Sequence, residues 1–439
     1  MYNYLAVELH AWSTLIHEAG RGILVFAYAV STLVLTLYAA WYMAALAAYL
    51  SRGPWRSKWE PTRLRCPGCS HWPRVAVVYP VFNDYEILAS LEKAVRMDYP
   101  DYFIIVVDDS TDELLSLELS NMAIRSGGKI IHLRRAGRQG LKAGALLDAA
   151  RLARDRGARY MLVLDADFEP PRWLLRRLVA HAEASDADLV QGHQKHDKGA
   201  EGLFGNIYRA GLAGAIIFLA GRVYLRMFPI FTGAVGLLRL DAVEQVPFTP
   251  GVISEDLRWS IDYLAVNKET RFLATPEAWA SGSVPKTLRA YYKQQVRWSS
   301  GTLIELLRTW PTIILDPDIP FWEKAGYLLQ GGFFTQGLWV YVNTVTPFLY
   351  KLLYGVSLSS LWPLGLYVWL LGIETILLTG AIAEGFSVRL MVSIALSLLL
   401  FIYVSATIHA IGTLKALTGR GREWVVTSKR GRYEQLYRD

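Results

Sequence analysis

Cysteine is nearly absent. The only two among 439 residues, Cys66 and Cys69, form one C-P-G-C pair, and no second C-x-x-C exists to complete a four-ligand zinc site. The pair is read as reduced thiols in a turn and is assigned no metal. Two nucleotide-binding signatures are missing as well. Neither G-x-G-x-x-G nor G-x-x-x-x-G-K-[ST] occurs, and the first loop that could carry one reads Pro80-Val-Phe-Asn-Asp-Tyr-Glu86. Dinucleotide and P-loop readings are thereby excluded. No internal repeat or low-complexity linker divides the chain. Formal charge is missing from residues 23–50, a run longer than the about 20 apolar residues that cross a bilayer and too long for the core of a signal peptide.

Apolar residues are in excess: 53% are hydrophobic and mean hydropathy is +0.23, above ordinary globular usage. A second charge-free stretch runs from Ala325 to Tyr350, and further apolar stretches lie near 360–383 and 390–414. The predicted layout is an N-terminal interfacial segment at 1–22, a transmembrane helix at 23–50 and a basic linker at 51–73. A soluble domain at 74–310 follows, then transmembrane or interfacial helices within 318–414 and a basic tail at 415–439.

Arg52, Arg56, Lys58, Arg63, Arg65 and Arg74 follow the first span against one acid, Glu60. The positive-inside rule then places the middle of a multi-pass cell-membrane protein in the cytoplasm. The tail is basic too, with Lys415, Arg420, Arg422, Lys429, Arg430, Arg432 and Arg438 against Glu423, Glu434 and Asp439. Three crossings after a cytoplasmic domain would leave that tail outside. One stretch must therefore be interfacial, re-entrant or double, and the sequence leaves open which. The pI near 9.2 reads as charge facing membrane lipids and not as nucleic-acid binding, because the basic residues cluster beside the spans.

Between the spans, short apolar runs at 74–81, 102–108, 129–133, 160–165 and 187–191 alternate with helix-like stretches around 85–98, 112–126, 140–156 and 172–184. Such alternation predicts an α/β domain with a mostly parallel central sheet covered by helices. Ligands bind such sheets at the carboxyl ends of their strands. There the chain keeps Asp108-Asp109 and Asp165-Ala166-Asp167. Two aspartates at i and i+2 on extended chain point to one side, and carboxylate oxygens suit a hard divalent cation that also holds substrate phosphates. A polar strand end accounts equally well for any one of them, so Asp-x-Asp alone decides nothing.

Downstream, Glu255-Asp256 enters a helix, and Gln294, Arg297 and Trp298 share one helix face at i, i+3 and i+4. Arg suits a diphosphate, Gln adds donors, and a Trp face suits a sugar ring. The bland alternatives are helix-start charges for the acid pair and a core anchor for the tryptophan. Glu374, inside an apolar stretch, is costly in lipid; it is read as lining a polymer path, with snorkelling as the alternative.

In this order, Asp108-Asp109, D-x-D at 165–167, E-D at 255–256 and Q-x-x-R-W at 294–298, followed by apolar spans, resemble the membrane-integrated family 2 glycosyltransferases. These include cellulose, chitin, hyaluronan and poly-N-acetylglucosamine synthases and lipid-glycosylating relatives. The resemblance covers residues 75 to about 305 motif by motif. It implies a GT-A fold, a nucleotide-sugar donor, usually a UDP-sugar, Mg²⁺ or Mn²⁺, and inversion at the anomeric carbon. By the same resemblance Tyr79, Asp108 and Asp109 border the nucleobase and ribose, and Lys142 binds the donor. Asp165 and Asp167 hold it through the metal, Asp256 is the general base and Glu255 supports it. Gln294 and Arg297 steady the leaving diphosphate, while Trp298 caps the acceptor. Phe231-Thr-Gly233-Ala resembles an acceptor-side segment, and Trp424 to Lys429 resembles a gating loop whose Thr427 and Lys429 reach the nucleotide. Ser281-Gly-Ser-Val-Pro285 departs from the pattern, lacking a glutamate many members carry there.

The leading expectation is an inverting, metal-dependent hexosyltransferase that extends a polysaccharide processively and exports it. The alternative adds one sugar to a ceramide, diacylglycerol or polyprenyl phosphate. A non-enzymatic nucleotide-sugar sensor would be expected to lack some of these residues, and none is missing.

Overall fold

The computed structural model describes residues 2–52, 72–358 and 364–420. Cys66, Cys69, Thr427 and Lys429 lie outside the described residues, as does the whole Trp424 to Lys429 segment. Among the described residues one seven-stranded sheet contains β1 (Val75–Val81), β2 (Tyr102–Asp108), β3 (Ile130–Arg134), β4 (Tyr160–Val163), β5 (Leu189–Lys198), β6 (Gly236–Arg239) and β7 (Phe272–Ser283). Their order is β3-β2-β1-β4-β6-β5-β7. β1 pairs in parallel with β2 and β4, β2 with β3, and β5 with β7, whereas β6 is antiparallel to β4 and β5.

The central strands are apolar on both faces because both are covered. Val75, Val77, Tyr79 and Val81 of β1 join Ile104 and Leu162 in one core, and the intervening Ala76 and Val78 join Ile105 and Val163 in the other. Helix α1 (Tyr2–Ser51) precedes the sheet. Helices α2 (Glu86–Ala94), α3 (Glu113–Arg125), α4 (Leu141–Asp155) and α5 (Leu174–Ser185) alternate with the first strands where the hydrophobic pattern puts them. Asp112 caps α3, accepting from the N–H groups of Leu114 and Leu115. The later elements are α6 (Gly202–Leu225), α7 (Leu240–Gln245), α8 (Glu255–Asn267), α9 (Leu288–Ile314), α10 (Phe321–Gly331), α11 (Gln336–Tyr354), α12 (Leu364–Ala383) and α13 (Val388–Leu417).

Four helical stretches among the described residues are long and apolar enough to cross a membrane: Leu15–Ser51, Gly202–Leu225, Leu364–Ala383 and Val388–Leu417. One continuous helix thus covers what the sequence divides into 1–22 and 23–50. The stretch 325–350 is split between α10, a 3-10 turn at Phe333–Thr335 and α11. The second candidate, α6, lies between β5 and β6 and was not singled out by sequence.

α6 packs on β5 and β7 on one side and on α1 and α12 on the other. Glycines permit this closeness: a Cβ on Gly214 would overlap the Ile376 carbonyl, and one on Gly380 would overlap that of Ala210. α1 and α11 run antiparallel. Tyr42 bonds Gln336 at 2.7 Å at the domain end, Asn343 bonds Thr32 at 2.8 Å midway, and Arg21 bonds Tyr350 at 2.8 Å at the far end. α12 runs parallel to α1, with Gly365 against Thr32 and Gly372 against Ala39.

Candidate active site

The carboxyl ends of β1, β2 and β4 open onto a cavity of about 450 Å³. One end is lined by Phe82, Asp84, Asp109 and Arg138, the middle by Lys142, Asp165, Asp167, Glu255 and Asp256. Gln294, Arg297 and Trp298 of α9 form a further wall, and Leu212, Ile216, Phe218, Leu219, Arg222, Ile230, Phe333 and Phe334 line the far end.

Lys142 stands at the centre, on the first turn of α4. Its Nζ is 2.6 Å from Asp165 Oδ1, 3.2 Å from Glu255 Oε1 and 2.9 Å from the Gly233 carbonyl. Burial lowers the ammonium's pKa, but the charges of Asp165, Glu255 and Asp256 outweigh it and hold the group protonated. Glu255 and Asp256 open α8, where the helix dipole favours carboxylates, and Asp256 Oδ1 accepts from the N–H of Leu257 at 2.8 Å. Burial pushes the Asp256 carboxyl up to about 7, Glu255 adds to the rise, and Lys142 and Arg297 oppose it. Gly233 has φ +88°, and a Cβ there would stand 2.9 Å from Asp256 Oδ2, so only glycine leaves that carboxylate room.

Asp165 and Asp167 differ in setting. The Asp165 side chain is 41% exposed toward the cavity. Asp167 is buried, its Oδ2 accepting from the Ser283 N–H at 3.0 Å, while Lys198 donates to its carbonyl at 2.6 Å. Ser283 also bonds Glu86, which comes from α2 and approaches the segment where the family's glutamate is missing. Asp109 meets Arg135 at 3.1 Å; burial pushes its carboxyl up to about 6 against the pull of Arg135 and Arg138. Gln294 is buried and accepts from the Tyr208 hydroxyl at 2.9 Å.

Three sequence-predicted site residues do not reach the cavity wall. Tyr79 is wholly buried and its hydroxyl donates to the Phe168 carbonyl at 3.3 Å, because its side of β1 faces the covered core. Asp108 is buried between Ser116, His132 at 3.0 Å and Arg134 at 2.7 Å. Burial raises its pKa, yet the hydrogen bonds from His132, Ser116 and Ser110 win and keep it ionised. Phe231 packs between Phe248 and Trp259, leaving Thr232 and Gly233 to line the cavity. Glu374 is half-buried on α12 and lies off the cavity.

Sequence reasoning also missed several lining residues. The Arg138 guanidinium lies 3.8 Å over the Phe82 ring at the cavity's mouth. His193, Gln194 and His196 of β5 line the interior, and the run of polar residues Gly192-His-Gln-Lys-His196 in a strand was the available signal.

A mostly parallel sheet with helices on both faces, a β6 antiparallel to its neighbours and acids at the strand ends has the GT-A architecture. Residues 76–246 match the family model described as Glycosyl transferase family 2, so the chain carries a family 2 glycosyltransferase domain. It is 28% identical over 426 residues to a probable glucomannan 4-beta-mannosyltransferase of Arabidopsis thaliana, spanning 92% of this chain and 78% of that protein. A probable glucomannan 4-beta-mannosyltransferase of Oryza sativa subsp. japonica is 29% identical over 290 residues, 63% of this chain and 51% of its own length. Among solved structures, a mannosyltransferase from Pyrobaculum calidifontis in complex with GDP-Man and Mn²⁺ shares the fold. Its TM-score is 0.54 at 18% identity, covering 89% of this chain and 99% of that one.

Proposed function

We propose that the protein transfers mannose, with inversion, from a nucleoside-diphosphate sugar to a hydroxyl of a growing glycan. The observation that carries this reading is the placing of Asp256 and Glu255 across Lys142 from Asp165, with Gln294, Arg297 and Trp298 on the same cavity. The names of the curated relatives support mannose, and GDP-mannose is therefore the first donor to test, ahead of the UDP-sugars usual in the resembling family.

In this reading the base lies between Phe82, Asp109 and Arg138, and the diphosphate beside Asp165. Asp256 takes the proton of the acceptor hydroxyl as its oxygen bonds to the anomeric carbon, and the bond from that carbon to the diphosphate breaks in the same displacement. Arg297 and Lys142 meet the leaving diphosphate, with Gln294 supporting, and Trp298 offers its face to the acceptor sugar.

Among the described residues no group of three His, Cys, Asp or Glu converges as a metal site. Asp165 fits a hard cation that takes its remaining ligands from phosphates and water, whereas Asp167 orients the turn. When bound, Mg²⁺ or Mn²⁺ would neutralise charge on the diphosphate.

The second reading, a single transfer to a lipid-borne acceptor, is favoured by one observation: the far end of the cavity is apolar, from Leu212 and Ile216 to Phe333 and Phe334. Detergent-purified protein incubated with labelled GDP-mannose or UDP-sugars and Mn²⁺ tests both. A polymer ladder supports extension, a single lipid-extractable product supports the second reading, and donor binding without any transfer refutes both. Asp256→Asn should keep donor affinity while kcat falls about 10²–10⁴-fold; normal turnover would refute the base assignment.

The helix geometry also supports a membrane arrangement. In this arrangement α1 and α12 cross, α11 crosses with them because it lies antiparallel along α1 although it is not one of the four candidate spans, and both ends of α13 stay on the domain's face. Its start follows Glu384 and Phe386, which meet Arg209 of α6. Its second half lies along α9, through Tyr291 and Ser405 at 3.0 Å, Gln295 and His409 at 3.1 Å, and Gly412 on Ser299. An interfacial α13 ends at Leu417 on the domain's side, and the positive-inside rule supports the cytoplasm as that side.

A further inference from the structure

The Lys142 ammonium is already held from three sides. It donates to Asp165 Oδ1 at 2.6 Å and to the Gly233 carbonyl at 2.9 Å, and it pairs ionically with Glu255 Oε1 at 3.2 Å. The side chain is 18% exposed, so water screens this contact weakly. Asp165 is also the carboxylate best placed for a divalent ion. A cation arriving at Asp165 with no diphosphate present would meet an ammonium already bonded to that carboxylate, and two positive charges would share one ligand.

We infer that Lys142 is an internal counter-cation that occupies Asp165 until a donor arrives, and that it is exchanged for the divalent metal when donor phosphates enter. The inference rests on the metal-dependent transferase reading above and deepens it. With donor bound, phosphate oxygens would give the Lys142 ammonium new partners and leave Asp165 free to hold a divalent ion together with those phosphates. Metal and nucleotide therefore bind with positive linkage, each raising the other's affinity by one factor. Neither the aspartate nor the lysine needs to change protonation; only the pairing changes. The flexible four-carbon stem of lysine suits this exchange, since it moves a compact charge without a fixed fork geometry.

The test reads metal occupancy and not turnover. Mn²⁺ is titrated into the detergent-purified full chain, free Mn²⁺ is followed by electron paramagnetic resonance, and the titration is repeated with saturating GDP and then UDP. The wild type should bind Mn²⁺ at least about tenfold more tightly with the preferred nucleotide than without it. Lys142→Met should bind Mn²⁺ alone at least about tenfold more tightly than the wild type, and the nucleotide effect should shrink. Lys142→Arg keeps the charge and should still exclude the metal. It also serves as the folded comparison if Lys142→Met, which leaves Asp165 and Glu255 uncompensated, does not fold.

Unchanged or weaker Mn²⁺ binding by Lys142→Met, or tight Mn²⁺ binding by the wild type or Lys142→Arg without nucleotide, would overturn the exchange. Failure of the wild type to bind Mn²⁺ even with nucleotide would overturn the metal-dependent reading beneath it. The two failures are thus told apart within one experiment.

Discussion

Asp256 is held in a state its own fold disfavours. A carboxyl whose pKa is raised to about 7 by burial and by Glu255 is half protonated near neutrality, and only the ionised form can take the acceptor's proton. With Asp256 as base, kcat/KM should therefore fall about tenfold per pH unit on the acid side of that value. A bound cation would move this limb to lower pH, and Lys142→Met, by removing an opposing positive charge, should move it higher. The sign for stability is the reverse. An acid whose folded pKa exceeds its unfolded value binds more protons when folded, so stability drops as pH rises from about 4 to about 7. Asp256→Asn should accordingly melt at higher temperature than the wild type at pH 8, with the difference vanishing at pH 4. A lower melting temperature for the variant at pH 8 would contradict the burial argument. An inactive but stabler variant is the expected signature of a catalytic group kept under electrostatic strain.

At the scale of elements, the motif residues were legible because their chemistry is local. Acids at strand ends, an acid pair at a helix start and three residues on one face of α9 follow from spacing, whereas their reading as one site came from the order in which they resemble a family. Tyr79, Asp108 and Phe231 show what spacing does not reveal. Along a strand covered on both faces, as at Tyr79 and Asp108, neighbouring residues point to different sides, and only the covering helices decide which side remains open; Phe231, in the loop before β6, is turned into the core by Phe248 and Trp259. α6 was missed for a related reason: an apolar helix between two strands looks like domain core until α1 and α12 are seen against it. Its crossing with α12 is close enough that Gly214→Leu should force the helices apart, costing about 1–3 kcal/mol by analogy with overpacked cores and lowering the melting temperature in detergent. An unchanged melt would show that the crossing is loose.

α13 carries the topological consequence. In a background with Cys66 and Cys69 replaced by Ser, Ser357→Cys should react with an impermeant maleimide from outside intact cells, and Ser428→Cys should react only after permeabilisation. Labelling of both from outside would make α13 a crossing helix and restore the parity conflict of the sequence.

For the whole molecule, the two halves of the cavity have different origins. The donor half comes from the strand ends and α4, within the segment that matches the family, and most of it could be read from the sequence. The other half, which the proposed function gives to the acceptor, comes from α6 and the turn at Phe333–Thr335 beside Trp298 of α9, and α6 and the turn are brought there only by tertiary packing. Glu384 joins the halves to the membrane helices. Placed just beyond α12, it is buried against His193 of the cavity wall at 3.4 Å and against Arg209 at 2.5 Å. Glu384→Ala would leave Arg209 and Lys195 without that carboxylate, and removing one member of such a buried set costs about 3–5 kcal/mol.

Because α6 is at once a wall of the cavity and the packing partner of α1 and α12, the lateral pressure of the surrounding bilayer bears on the width of the acceptor half. The donor half stands on the sheet and is shielded from it. Reconstitution in lipids of increasing acyl-chain length should therefore shift the KM for acceptor while leaving the Kd for nucleotide unchanged, which makes membrane thickness a physical control on what this enzyme can accept.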